Sequence, residues 1–133
     1  MQAVKATIPR ALPVGAWVDT CDNSGAKIIK IVSVVHQKTV KGRKPAAGIG
    51  DLIMASVKKG RPDMRKLVVF AIIVRQKKEF RRPGGKRIKF ADNAAVVLKD
   101  EKGNPKGTLL KGAIAKEVCD RWPPIAKLAS IVV

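Results

Sequence analysis

Residues 67–74, "LVVFAIIV", form an unbroken run of eight apolar side chains. The run is rich in β-branched residues and is apolar on both faces, which is the pattern of a strand covered on both sides. At eight residues it is far shorter than the roughly 20 residues that a membrane-spanning helix needs. We therefore expect residues 67–74 to be a core strand, with a barrel wall around it and another element covering its outer side.

Other short, β-rich segments lie before and after this run, and Gly, Pro, Asp and Asn separate them. From Ala113 onward the spacing changes, because apolar residues now recur on one face of a helix. Pro123 is expected to end this helix, and Pro124 to begin a second. The predicted strands lie within residues 14–21, 26–35, 51–60, 66–78 and 91–100.

Five or six strands followed by two short helices indicate a mainly β fold. A small closed or nearly closed barrel fits best, because closure removes the exposed strand edges of a meander. The length of 133 residues predicts a single domain. Within residues 1–133 we expect an N-terminal extension (1–15), a projecting hairpin (77–90) and a helical C-terminal region (113–130).

The charge is unusual for such a small body, since 28 Lys and Arg against 10 Asp and Glu leave a net charge of +18. These charges would repel one another unless an anionic partner neutralised them, so a polyanion is the first partner to expect. The N-terminal residues lack an apolar core before a cleavage site, which argues against a secretory signal. We expect a cytoplasmic protein with no membrane partner and no small-molecule substrate.

The densest basic segment is "KKEFRRPGGKRIKF" at residues 77–90, with seven basic side chains and one acid. We predict a hairpin with the three-residue loop 84–86, which places Phe80 opposite Phe90. Ile88 and Arg82 would share that apolar face, while the other face would be cationic. Such a ribbon suits RNA phosphates on one side and a base or a neighbouring protein on the other.

Basic side chains in other loops repeat the same sign, so RNA is the predicted partner. If six to ten phosphates are neutralised, log affinity should fall against log salt with a slope of about 0.7 to 0.9 per contact. The residues that we expect to contact RNA are Lys27, Lys38, Lys41, Arg43, Lys44, Lys58, Lys59, Arg61, Arg65, Arg75, Lys77, Lys78, Arg81, Arg82, Lys86, Arg87 and Lys89.

Other classes of protein have less support. Ser24 lacks a nucleophile elbow and His36 is the only histidine, so no catalytic residue is assigned. Cys21 and Cys119 stand alone and predict reduced, packed thiols, with no metal site and no cofactor. The alternative is a free-standing OB-like module for single-stranded nucleic acid, although such barrels display more stacking aromatics than this chain offers. Basic residues on loops and strands also do not form the amphipathic helix of a membrane-surface protein.

Several segments together resemble the universal L-fourteen family of large-subunit ribosomal proteins, in its archaeal and eukaryotic branch, with the archaeal version favoured. Gly84 and Ala113 depart from that family's usual residues. The matching segments are "DNSGAK" at 22–27, "AGIGDLIMASVKKGRPDMRK" at 47–66, "AIIVRQKKEFRRPGGKRIKFADNAAVV" at 71–97, "PKGT" at 105–108 and "RWPPIAKLASIVV" at 121–133.

This resemblance implies a five-stranded barrel, with large-subunit rRNA as the main partner. It also implies contact with small-subunit rRNA in an intersubunit bridge near the sarcin-ricin region, and a hairpin that joins a sheet of a neighbouring ribosomal protein. The C-terminal surface would resemble the docking site of the anti-association initiation factor six. The residues expected to contact proteins are Phe80, Ile88, Phe90, Lys116, Asp120, Arg121 and Lys127.

Overall fold

The structure is a computed structural model that describes residues 2–133. These residues form eleven strands, most of them short, and two helices of six residues each. The elements are β1 (Leu12–Pro13), β2 (Trp17–Thr20), β3 (Ala26–Val34), β4 (Ala46–Ala47), β5 (Leu52–Gly60), β6 (Val68–Arg75), β7 (Phe80–Arg81), β8 (Arg87–Ile88), β9 (Ala94–Val97), β10 (Ala113–Ile114), α1 (Lys116–Arg121), α2 (Pro123–Leu128) and β11 (Ile131–Val132).

Five strands close into a barrel in the order β2, β3, β5, β6 and β9. Neighbours along this order pair antiparallel, and the ring closes through a parallel pairing of β2 with β9, in which Asp19 lies opposite Ala94. The predicted mainly β fold with a closed five-stranded barrel and two short C-terminal helices is therefore confirmed.

Most of the long apolar run forms β6, one of the five strands of this barrel. Residues 71–74 are fully buried, as is the whole of β9 beside them. The first part of the run differs from the prediction, because Leu67 and Val68 are exposed and Phe70 is only partly buried. The predicted covering element thus protects the second half of β6 and leaves the first half open on its outer side.

Trp122, at the junction of α1 and α2, packs one end of the molecule. Its ring is 1% exposed, and its indole N–H donates to the carbonyl of Gly50 at 2.8 Å. The ring lies so close to Gly103, where φ is +98°, that a side chain at that position would overlap it. The sequence predicts that Trp122 and Trp17 are both structural, each covering one end of the barrel. The prediction is correct for Trp122 but wrong for Trp17, whose side chain is 55% exposed.

The C-terminal region departs from the predicted boundaries. Ala113 and Ile114 form a strand instead of the first turn of a helix, because β10 pairs in parallel with β11. α1 therefore begins at Lys116, and α2 begins at Pro123, one residue earlier than expected, with proline in its first turn. Within residues 2–133 no helix is long and apolar enough to cross a membrane.

The hairpin has the predicted loop length but a different register. Phe80 lies opposite Ile88, not opposite Phe90, and the loop consists of residues 83–85. The physical reason is that such a loop needs its third residue in the left-handed region, and Gly85 has φ of +90°. Phe90 instead donates its N–H to the carbonyl of Gln76.

Gln76 anchors the N-terminal segment to the barrel. Its buried side-chain oxygen accepts a hydrogen bond from the N–H of Ile49, and its amide nitrogen donates to the carbonyls of Pro9 and Lys78. Part of the predicted extension is itself paired, since Leu12 in β1 lies opposite Ala47 in β4. Met1 lies outside the described residues.

Candidate nucleic-acid interface

The loop between β3 and β4 carries a first basic surface, which we call the loop surface. Its four cations, Lys38, Lys41, Arg43 and Lys44, are all exposed. The loop is held in shape locally, because the Thr39 hydroxyl donates to the carbonyl of Arg43 at 2.7 Å. The chain geometry therefore presents four positive side chains to the outside with no acid among them.

A second surface, the barrel-end surface, forms where β5 meets the turn before β3. Pairing of β3 with β5 places Ile28 opposite Lys59 and Ala26 opposite Gly60, with an irregularity between them at Lys27. Gly60 leaves no room for a side chain, since one would overlap the carbonyl of Gly25. This close approach brings together five exposed cations from distant parts of the chain, namely Lys27, Lys58, Lys59, Arg61 and Arg65.

The third surface, the ribbon surface, belongs to the hairpin and its approach. Arg81 lies directly opposite Arg87, and both are exposed. Like charges opposite each other on a two-stranded ribbon are destabilising, so the pair favours an anion bound between them. The ribbon surface comprises Lys77, Lys78, Arg81, Lys86, Arg87 and Lys89.

The acidic side chains do not neutralise these surfaces. Three acids form ion pairs with partly buried arginines, in the pairs Arg75–Asp92, Arg82–Glu117 and Arg121–Asp51. Among the ion pairs within residues 2–133, only Arg61–Asp63 and Lys78–Glu79 involve cations of the three surfaces, at 3.7 and 3.6 Å between exposed groups. Exposed pairs of this kind contribute little, so most of the positive charge remains unmatched.

Two of the predicted RNA-binding arginines, Arg75 and Arg82, instead form ion pairs with acidic residues of this chain. The Arg75 side chain is 13% exposed, pairs with Asp92 at 2.9 Å, and donates to the carbonyls of Lys111 and Ala113. These bonds hold the start of β10 against the barrel. Arg75 is therefore a structural residue in this fold, and we remove it from the predicted RNA-binding set.

Arg82 is also engaged, and its partner lies 35 residues away in α1. Its guanidinium donates to both carboxylate oxygens of Glu117, at 2.9 and 3.2 Å, and to the carbonyl of Val133 at 2.6 Å. It also lies over the ring of Phe80, which is 1% exposed. The prediction that Phe80 contacts another protein is therefore wrong, because the ring is covered by its own chain.

Comparison with known proteins assigns the family. The profile described as "Ribosomal protein L14p/L23e" matches residues 11–133. The chain belongs to this family. It is similar over its whole length to proteins called large ribosomal subunit protein uL14, and the match covers all of each relative. Identity over 133 residues is 53% with the protein of Nanoarchaeum equitans, 51% with that of Methanothrix thermoacetophila and 50% with that of Methanoregula boonei.

Membership of the L14p/L23e family agrees with the predicted family and with the absence of an assigned enzyme site, since these relatives are ribosomal proteins and not enzymes. The Ser24 hydroxyl, considered above as a nucleophile, donates to the carboxylate of Asp22 at 2.9 Å. That carboxylate is buried and also accepts the N–H of Val97. Burial raises the pKa of the Asp22 carboxyl. The hydrogen bond from Val97 links the turn that follows β2 to strand β9.

The remaining residues expected to contact proteins in this L14p/L23e chain fall into two groups. Ile88 and Phe90 are partly buried beside the ribbon. On the helices, Lys116, Asp120 and Lys127 are exposed, whereas Arg121 is mostly buried and pairs with Asp51. The three exposed residues all lie on the two C-terminal helices, Lys116 and Asp120 on α1 and Lys127 on α2.

The fold adds cations to the barrel-end surface that are not among the predicted RNA-binding residues. Lys111 lines a groove of about 550 Å³ together with Lys27 and Arg61. Lys111 follows a loop far along the chain, and long-range bonds bring it here, since its N–H donates to the carbonyl of Cys21 and its own carbonyl accepts from Arg75. Lys66 is a second addition, since it is exposed beside Arg65.

The two cysteines should differ in reactivity. Both are free thiols, Cys21 buried and Cys119 half-buried. Burial raises the pKa of Cys21 to about 11, and burial also raises the pKa of Cys119. At pH 8 a pKa of about 11 reduces the thiolate fraction of Cys21 roughly a hundredfold below that of a free thiol.

We expect an alkylating reagent at pH 8 to label Cys119 in the native protein and to leave Cys21 largely unlabelled, as followed by mass spectrometry. In urea both thiols should react at similar rates, which controls for the reagent. If Cys21 in the native protein were labelled as fast as Cys119, the Cys21 thiol could not be buried as the structure shows.

Proposed function

We propose that this chain is held in the ribosome by large-subunit rRNA, whose phosphates bind the loop, barrel-end and ribbon surfaces. As a member of the L14p/L23e family it is a structural constituent of the large ribosomal subunit, and its place is the ribosome in the cytoplasm. Phosphate contacts from Lys and Arg position a protein on RNA without reading its sequence, which is what a structural constituent requires.

The observation that carries this proposal is the arrangement of unmatched charge. All but two of the predicted RNA-binding side chains are exposed, and they form three separate surfaces on loops and strand ends. The ten acids cannot neutralise 28 Lys and Arg internally, which leaves a net charge of +18 on 133 residues. Counterion release makes such surfaces bind polyanions with a strong dependence on salt.

The proposal extends to three further partners, which rest mainly on the family resemblance. We propose that the partly exposed Ile88 and Phe90 face a neighbouring large-subunit protein beside the hairpin. We also propose contact with small-subunit rRNA in an intersubunit bridge. The exposed α1 and α2 residues Lys116, Asp120 and Lys127 are the proposed docking surface for the anti-association initiation factor six.

A charge-neutralising variant tests the rRNA contact. In the loop surface, Lys38→Gln combined with Lys44→Gln removes two phosphate contacts without touching the core. The salt slope of binding to purified large-subunit rRNA should fall in magnitude by about 1.4 to 1.8, at about 0.7 to 0.9 per lost contact. Filter binding over a series of salt concentrations measures this slope.

A matched control removes the same net charge elsewhere. Lys99→Gln with Lys102→Gln changes two exposed lysines that lie beside Asp100 and Glu101, outside the three surfaces. This control should leave the slope close to that of the wild type. Equal losses in both double variants would mean that only total charge matters, and the proposed loop surface would be rejected.

A further inference from the structure

A different part of the barrel carries an exposed and largely uncharged face. Strand register places Trp17 opposite Lys30, Lys30 opposite Ser56, and Ser56 opposite Val68. This row crosses four strands, a distance of about 14 Å at about 4.8 Å per strand. With Val32 and Met54 beside it, we call this face the outer wall.

The outer wall faces away from the core. Residues that alternate with it along the strands, namely Val18, Ile29, Ile31, Ala55 and Val57, are at most 1% exposed. By contrast Trp17, Val32 and Val68 are 55%, 48% and 57% exposed. Three large apolar side chains are thus open on one wall, which is typical of an interaction site.

Lys30 is the one charged side chain among the six residues of the outer wall, which Asp19 on β2 and Lys58 on β5 border on the same face, and no ion pair to Lys30 is found within residues 2–133. It stands in the row between Trp17 and Ser56. A complementary partner therefore offers apolar side chains with a carboxylate among them, placed opposite this ammonium group.

We infer that the outer wall binds a protein segment of the large subunit that carries apolar side chains and an acidic residue opposite Lys30. Interface centres are depleted of charge and enriched in aromatic residues and Met, as is this wall with Trp17 and Met54. Trp is also among the residues that most often dominate binding energy.

Two other occupants fit less well. An RNA backbone needs several cations, and single-strand platforms use several aromatics, whereas the outer wall offers one lysine and one exposed tryptophan. A second copy of this chain would bring one +18 body against another, which is repulsive. The inference does not depend on the three basic surfaces.

Site-specific photo-crosslinking in purified large subunits tests the inference. A benzophenone amino acid replaces Trp17, and in a parallel sample it replaces Val40, which is 68% exposed in the loop surface. We expect the probe at position 17 to join a large-subunit protein, at a peptide with apolar residues and an Asp or Glu. The probe at position 40 should join rRNA.

Crosslinking of position 17 to rRNA would overturn the inference in favour of base stacking on Trp17. Failure of position 17 to crosslink, when position 40 does, would overturn it by showing that the wall faces solvent. A result at position 40 bears only on the rRNA proposal, so the two can fail separately.

A second experiment measures how strongly the outer wall holds the chain in the subunit. Exchange of labelled protein out of purified large subunits should be about thirtyfold faster for Trp17→Ala, since an anchoring Trp contributes about 2 kcal/mol and interface changes act mainly on dissociation. Lys30→Met should also speed exchange, whereas Lys102→Met, at an exposed lysine outside the outer wall and the three basic surfaces, should not change it. Exchange of Trp17→Ala at the rate of Lys102→Met would overturn the inference.

Discussion

Replacing Arg82 by Met is expected to lower the free energy of unfolding by about 3–5 kcal/mol. Glu117 is 5% exposed, and its carboxylate accepts two hydrogen bonds from the Arg82 guanidinium at 2.9 and 3.2 Å. Removal of the guanidinium leaves a buried carboxylate without its partner, and also removes the bond to the Val133 carbonyl at 2.6 Å. Urea unfolding of the isolated protein measures the loss.

Arg81 provides the matched control, because it is the neighbouring residue of the same ribbon but its side chain is exposed. Arg81→Met should stay within about 0.5 kcal/mol of the wild type. A second change, Glu117→Gln in the Arg82→Met background, should restore much of the loss by removing the unpaired charge. If Arg82→Met unfolds at the same urea concentration as Arg81→Met, the hairpin is not fastened to α1 as described.

Replacing Trp122 by Ala is expected to cost about 3–5 kcal/mol of unfolding free energy. The ring is 1% exposed and sits against Gly103, so its removal leaves a cavity between α1 and the loop before β10. The carbonyl of Gly50 also loses the indole N–H that now lies 2.8 Å away. Thermal unfolding followed by circular dichroism measures the effect.

The second tryptophan is the natural control for this prediction. Trp17 has the same chemistry but is 55% exposed, so Trp17→Ala should change the unfolding free energy by no more than about 0.5 kcal/mol. A cost for Trp17→Ala that equals the cost for Trp122→Ala would contradict the assignment of one ring to the core and the other to the outer wall.

Local patterns were enough to predict the barrel strands. The apolar density of residues 67–74 predicted β6, and alternation or β-branched content predicted β3 and β5 close to their observed limits. These signals succeed because a buried strand imposes its burial pattern on consecutive residues. The loop length of the hairpin was also predictable, since Pro and two Gly limit the turns that the backbone can form.

The elements that were predicted wrongly depend on pairing with residues that are distant in the sequence. Ala113 has a helical neighbourhood in sequence, but its pairing with Ile131 in β11 makes it a strand. Two-residue strands of this kind carry no periodicity, so no local signal could have revealed them. Likewise the strand register of the hairpin depends on which glycine takes the left-handed conformation, and both Gly84 and Gly85 were available.

The sequence was enough to predict that the candidate interface is basic. It was not enough to predict which of the basic residues are exposed for RNA and which are structural. Clusters of Lys and Arg indicated the three surfaces, and most of those side chains are exposed. The sequence could not identify Arg75 and Arg82 as structural, because Asp92 and Glu117 lie 17 and 35 residues away from them. The sequence also could not predict that Lys111 lies in the groove beside Lys27.

A cryo-electron microscopy structure of the large subunit that contains this chain would show directly whether rRNA neutralises the three basic surfaces. Most cations of the loop, barrel-end and ribbon surfaces are expected to have a phosphate oxygen within about 4 Å, the usual ion-pair limit. Surfaces that faced open solvent or the carboxylates of other proteins would contradict this, because the excess charge of +18 would then have no RNA partner.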